Sequence, residues 1–333
     1  MKRREFIRLL GGAAAASQAA SPVTLHAQQS DKVRRIGVLS GLAEGDPESR
    51  LRVVSFEKGL RDLGWIKGRN LQIEYRWAGD GNLLRTLAAQ LVSSKPELIL
   101  TNSTPVAAAV HEQTRTVPIV FVQVTDPIGQ GFVTTLAQPG GNLTGITNFE
   151  FSIGSKWLGT LREILPHLAR VGLVFNPDTA PFARMFAQPL EASAAAFKIT
   201  TVAASARDPT ELERVIEAVA KEPNSALMVL PDVSTVNHRD QIIALAKRLR
   251  LPAIYPYRMF ATSGGLVSYG SDVSDIYRRA GSYVDRILRG TPPGNIPVEA
   301  PTKYELVINL RSAKAIGLDL PQRLLVLADD LIE

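Results

Sequence analysis

The 333-residue chain is 45% hydrophobic and 21% charged, enough apolar material for real cores and too little charge for a disordered chain. It has no cysteine, which excludes disulfides, a thiol nucleophile and the lipobox cysteine of a lipid anchor. The formal net charge is +6, half of it from Lys2, Arg3, Arg4 and Arg8 against Glu5; no basic run interleaved with aromatics exists elsewhere, so no nucleic-acid partner is expected, and length argues for two domains.

Residues 1–27 have a basic start, an apolar stretch from Leu9 to Ala16 and a small-residue end at Ala27. That is the form of a secretory signal. Arg3-Arg4-Glu5-Phe6-Ile7-Arg8 resembles the twin-arginine motif, which routes folded proteins across the bacterial inner membrane. The apolar run is too short to span a bilayer, and no later one reaches about 18 residues. The mature chain is expected in the periplasm, soluble, monomeric and not lipid-anchored.

The mature part begins with a strand, Val33 to Gly41, followed by a helix with Phe56, Leu60 and Leu63 on one face and Gly64 as its stop. Leu71 to Trp77 alternates apolar and polar, so it reads as a strand. Leu83, Leu84, Leu87 and Leu91 mark the second helix. Leu98 to Leu100 is a buried strand that breaks into Thr101-Asn102-Ser103-Thr104-Pro105 and enters an alanine-rich helix. Pro105 suits the first helical position, and Ser103 or Thr104 suits the N-cap. This junction offers N–H groups, hydroxyls and the positive end of a helix dipole to a small anion. Pro118 to Val124 is the fourth strand, closing on Thr125-Asp126-Pro127, after which a short helix and the Pro139-Gly140-Gly141-Asn142 turn lead to Leu143–Asn148.

The pattern then restarts. Helices over Lys156–Leu165, Phe182–Phe197, Thr210–Ala220 and Arg239–Leu249 alternate with strands at Val171–Pro177, Ile199–Val202, Ala226–Leu230 and Pro252–Tyr255. Strand–helix alternation in both halves predicts parallel sheets with right-handed crossovers. A strand at Gly265–Gly270, an amphipathic helix at Ile276–Leu288, a strand at Lys303–Asn309 and a last helix near Ser312–Ile316 cross between the halves. The expected fold is α/β: two Rossmann-like lobes with parallel sheets joined by a three-crossing hinge. Lobe 1 is residues 33–147 plus 271–302, and lobe 2 is 148–270 plus 303–333. The crossings fall near Ile146–Asn148, Tyr269–Ser271 and Thr302–Tyr304, with the ligand site in the cleft.

In open parallel sheets, ligands bind beyond the carboxyl ends of the strands. Those ends hold Ser40, Asn102, Ser103, Thr104, Thr125, Asp126, Asn176 and Asp232. Such a set can hold a zwitterion: Ser103, Thr104 and nearby N–H groups take a carboxylate, and Asp126 or Asp232 takes an ammonium. Trp77, Tyr257 and Tyr269 lie near strand ends and are candidates to stack on a ligand. His26, His111, His167 and His238 are scattered, no metal-binding spacing occurs, and there is no Gly-x-Ser-x-Gly elbow or phosphate loop. No catalytic activity, cofactor or metal is expected.

The chain resembles the ABC-transporter substrate-binding protein family of proteobacteria. The resemblance rests on Gly59-Leu60-Arg61-Asp62-Leu63-Gly64-Trp65, Glu74-Tyr75-Arg76-Trp77-Ala78, Asp126-Pro127-Ile128-Gly129, Pro139 to Gly145, Gly264 to Gly270 and Pro301 to Asn309. It implies the type I periplasmic binding fold, a small solute such as an aromatic amino acid, and an inner-membrane permease as partner. Many relatives carry Gly-Thr-Pro where this chain has Asn102-Ser103-Thr104-Pro105. Three other readings stay open: a secreted hydrolase, a solute receptor for a sensor kinase, and a regulator of the lac-repressor type whose headpiece an export signal replaces.

Overall fold

A computed structural model describes residues 33–79 and 81–333; the signal peptide expected over residues 1–27 lies outside the described residues. The first half runs β1 (Arg34–Ser40), α1 (Pro47–Asp62), β2 (Leu71–Trp77), α2 (Leu84–Ser93), β3 (Leu98–Asn102), α3 (Thr104–Gln113), β4 (Ile119–Val124) and β5 (Leu143–Thr147). These strands form one parallel sheet in the order β2-β1-β3-β4-β5. Every residue of β3 and β4 is buried, as an uninterrupted apolar strand covered on both faces requires.

The second half continues with α4 (Ile153–Ile164), β6 (Arg170–Phe175), α5 (Ala183–Ala195), β7 (Thr200–Ser205), α6 (Pro209–Ala220), β8 (Ser225–Val229), α7 (Val233–Asn237), α8 (Arg239–Arg248), β9 (Ala253–Tyr255), α9 (Arg258–Thr262) and β10 (Val267–Ser271). After α10 (Val273–Leu288), the chain ends with β11 (Tyr304–Asn309), α11 (Leu310–Ile316), α12 (Gln322–Leu327) and β12 (Asp330–Ile332). The second sheet has the order β12-β11-β10-β9-β8-β6-β7.

The second sheet departs from the expected all-parallel pairing at one ladder: β11 runs antiparallel to β10. The reason is the connection. β10 carries the chain out toward the first lobe and β11 carries it back, so adjacent strands run in opposite senses. A second correction concerns residues 127–142, where a short helix is expected; the chain makes only turns and bends there. Gly131 and Gly140 both have positive φ, which breaks a helix at each.

The chain passes between the sheets three times. The passages are stitched to one another: Thr147 N–H donates to the Glu299 carbonyl at 2.8 Å, and Asp272 N–H donates to the Lys303 carbonyl at 3.1 Å. Helix α10 leaves the second sheet and packs along α1. Their crossing is close because both helices present glycine: Gly59 meets the Arg278 backbone, and Gly281 meets the Gly59 backbone. Phe56 and Leu60 of α1 are buried as expected, whereas Leu63 stands at the helix C-terminus and is exposed.

Candidate functional site

The carboxyl ends of β3 and β8 face each other across a crevice that encloses about 370 Å³, partly open to solvent. One wall comes from the first sheet. After β3 the backbone turns at Ser103 with φ 67° and ψ 158°, a region that essentially only glycine occupies without strain. Ser103 sits at the N-cap position of α3 but makes no cap hydrogen bond, contrary to the capping role its sequence position suggests. Its Oγ is buried with no partner, and the residue lines the crevice. Thr104 is committed elsewhere: its Oγ1 accepts the Thr125 N–H at 3.2 Å and tethers α3 to the end of β4. Asn102 accepts the Gly41 N–H on Oδ1 at 2.8 Å, which shapes the loop after β1.

Gln123 enters this wall through a bulge. The register between β4 and β5 shifts between Val122 and Val124, and Gln123 has φ 56°. The extra residue re-aims its buried side chain toward the crevice.

The opposite wall centres on Asp232, which caps α7 after β8. Its carboxylate accepts from the Thr179 hydroxyl at 2.6 Å, the Asn176 N–H at 2.9 Å and the Ser234 N–H at 3.1 Å. Burial pushes its carboxyl above the usual carboxylate range, and these three donors act against that rise. Tyr257 completes this wall, donating its hydroxyl to Asn148 Oδ1 at 2.9 Å. Burial raises the Tyr257 pKa, so it stands as a neutral donor. Asn148, on the first crossing, reaches Thr125 Oγ1 with its Nδ2 at 3.5 Å. One amide at the hinge therefore joins the end of β4 to Tyr257 of the opposite wall.

The rims of the crevice also touch. Arg239 at the start of α8 pairs with Asp46 at the start of α1 at 2.8 Å, with both side chains largely buried. Asn237 Nδ2 donates to the Gly41 carbonyl at 3.2 Å. Gly41 lies so close to Val233 that a Cβ there would stand 2.9 Å from it.

Of the residues picked from the sequence, the crevice brings together Asn102, Ser103, Thr104, Asp232 and Tyr257. Ser40 and Trp77 line a neighbouring, more apolar cavity of about 300 Å³ with Phe56, Tyr75 and Tyr277. Trp77 stacks on Tyr75, ring centroids 5.7 Å apart. Asn176 is buried behind Asp232 in a separate recess. Asp126 turns back to accept the Gly129 N–H at 2.9 Å and lines neither cavity. Tyr269 lines neither as well; its ring packs against Tyr304, and its carbonyl accepts the Trp157 indole N–H at 2.6 Å.

Sequence reasoning missed Arg52, Gln123, Thr179 and Phe182, which all line the crevice. Arg52 had a visible signal. It lies four residues before Phe56 and eight before Leu60, on the buried stripe of an amphipathic helix. A cation on an apolar stripe asks for a partner. Gln123 carried no such signal, because a bulge depends on the neighbouring strand.

The family described as ABC transporter substrate binding protein matches residues 38–332. A tyrosine-binding protein of Clostridioides difficile is 28% identical over 290 residues, covering 87% of this chain and 82% of its own. A conserved domain protein of Vibrio cholerae is 29% identical and superposes with a TM-score of 0.83, over 90% of this chain and all of its own. An ABC domain in complex with L-Trp, from Streptococcus pneumonia, is 22% identical with a TM-score of 0.82, over 90% of this chain and 99% of its own.

Proposed function

The chain belongs to the ABC transporter substrate binding protein family, and on that premise we propose that it is the extracytoplasmic receptor of an ABC importer. It captures a small amino-acid-like or carboxylate solute between its lobes and delivers it to an inner-membrane permease. The observation that carries this reading is convergence. Polar side chains from two separate sheets line one crevice, and among them the Ser103 hydroxyl is buried without a partner. A buried hydroxyl left unpaired costs about 1–3 kcal/mol, which a ligand acceptor or donor recovers.

The ligand class follows from the chemistry of the walls and from the relatives, two of which are described by tyrosine or L-Trp. The lobes are residues 33–147 with 271–302 and residues 148–270 with 303–333. Hinge closure around a ligand needs only that the three crossings absorb the backbone rotation. The protein works in the periplasm as a monomer, after export by a twin-arginine signal in residues 1–27. No helix among the described residues is long and apolar enough to cross a membrane.

A thermal-shift screen of the mature chain against the twenty amino acids and a set of aromatic acids tests this. A ligand at about 100 times its Kd adds roughly 2.7 kcal/mol of stability, which moves the melting transition by several degrees. A screen in which no carboxylate compound moves it would refute the reading.

A further inference from the structure

Arg52 is a buried cation that no ion pair among the described residues explains. It projects from the middle of α1, is 4% exposed and lines both the crevice and the apolar cavity beside it. A guanidinium stays protonated in any protein environment. Its Nε is buried with no hydrogen-bond partner. No carboxylate among the described residues lies within ion-pairing distance; Glu48, one turn earlier on α1, feels its charge without closing on it. The guanidinium instead stands over the Tyr277 ring, 5.6 Å from its centroid. A cation–π contact recovers only part of what removing a cation from water costs, so the contact does not offset burial.

The other charge in the crevice cannot serve as counter-ion. Asp232 stands on the far lobe with its oxygens held by Thr179, Asn176 and Ser234. Tyr257 lines the same crevice and feels the charge of both Arg52 and Asp232. The crevice thus carries Arg52 on the α1 side, with the unpartnered Ser103 hydroxyl lining the same crevice from the start of α3, and Asp232 on the β8 side. Arginine presents a fork that matches a carboxylate in two parallel hydrogen bonds.

Building on the receptor reading above, we propose that Arg52 is the residue that selects the solute for a carboxylate. Its guanidinium is the counter-ion of the ligand's anionic head, with Ser103 as a hydroxyl donor to the same group. This moves the anion site from the Ser103–Thr104 pair to Arg52 and Ser103. It also makes the ammonium of an amino acid secondary.

The test uses the mature chain, L-tyrosine, its deaminated acid 3-(4-hydroxyphenyl)propanoate and its decarboxylated amine tyramine. Binding is read by calorimetry and the ligand-free Tm by thermal melting. In the unmodified protein, the acid is expected to bind within tenfold of tyrosine and tyramine at least 100-fold more weakly. Arg52→Met is expected to lose at least 100-fold in affinity for both carboxylates, and Arg52→Lys to lose about tenfold. The ligand-free Tm of Arg52→Met should equal or exceed that of the parent, because an unpaired buried charge has been replaced by an apolar side chain. A structural arginine would instead lower it. Tyramine binding as well as tyrosine, or Arg52→Met keeping its affinity within threefold, would overturn the proposal. If none of the three compounds binds, the amino-acid reading fails. The Tm then decides Arg52 alone: a rise in Arg52→Met supports an anion site for another carboxylate, and a fall removes it.

Discussion

The ion pair between Asp46 and Arg239 joins the two rims of the crevice and exists only while they touch. Asp46 Oδ2 takes the Arg239 Nη1 at 2.8 Å, and the two side chains are 11% and 13% exposed. Asp46 Oδ1 separately caps α1 by accepting the Glu48 N–H at 2.9 Å. Arg239→Met therefore removes the pair and leaves the cap. In the closed form it strands a largely buried carboxylate, whereas in any opened form that carboxylate returns to water. Truncating one member of a buried pair costs about 2–5 kcal/mol. Taking the lower end, because both groups keep some solvent contact, closure weakens by about 2 kcal/mol, or roughly 30-fold. Ligand affinity that depends on closure should fall by a similar factor. Isothermal titration with a solute that raises the melting transition in the screen above reads it, and small-angle scattering of the ligand-free protein should show a larger radius of gyration. Adding Asp46→Asn to Arg239→Met removes the stranded charge and should restore affinity to within about fivefold of the parent. An Arg239→Met protein whose Kd and radius both match the parent would refute the argument that this pair holds the lobes together.

Three further outcomes are expected. Ser103→Gly relieves a backbone conformation worth about 1–3 kcal/mol of strain, less about 0.4–1 kcal/mol of added unfolded-chain entropy; the ligand-free Tm should rise by about 2 °C while affinity falls, and a lower Tm would contradict the strain argument. Gly59→Ala would place a Cβ 2.0 Å from the Arg278 carbonyl oxygen, forcing α1 and α10 apart; chemical denaturation should show a loss of about 3 kcal/mol, and a loss under 1 kcal/mol would mean the helices adjust freely. Asp275, buried at the start of α10, is pushed up by burial, but Arg278 at 2.7 Å and Lys303 at 3.4 Å outweigh that and hold its carboxyl below the ordinary value. Its stabilising contribution is thus present above the unfolded pKa of about 3.9 and is lost as pH falls through the lower folded value; Asp275→Asn should flatten the acid limb of Tm against pH, and an unchanged slope would show that the cluster contributes nothing.

The alternation of apolar runs with 3.6-period stripes determined the α/β class, the restart at residue 156 and the strands whose ends line the crevice. Those are local properties: burial on both faces demands an unbroken apolar strand, as in Leu98–Leu100, and one buried face demands a stripe, as in Phe56 and Leu60. The polarity of strand ends was legible for the same reason, and it picked out Asn102, Ser103, Thr104 and Asp232, which line one crevice, while Tyr257 was legible as an aromatic near a strand end.

What each of those groups is free to do was decided by tertiary structure alone. Thr104 and Asp232 read the same as Ser103 in sequence, as short polar residues at junctions. Folding spends Thr104 on the Thr125 backbone and Asp232 on Thr179, Asn176 and Ser234, and leaves the Ser103 hydroxyl bare. The antiparallel β11 depends on which lobe the chain is returning from, and Gln123 depends on the register of β5. Arg52 needs both: its place on an apolar stripe is written in the chain, but the missing counter-ion exists only where α1, β3 and the opposite lobe meet.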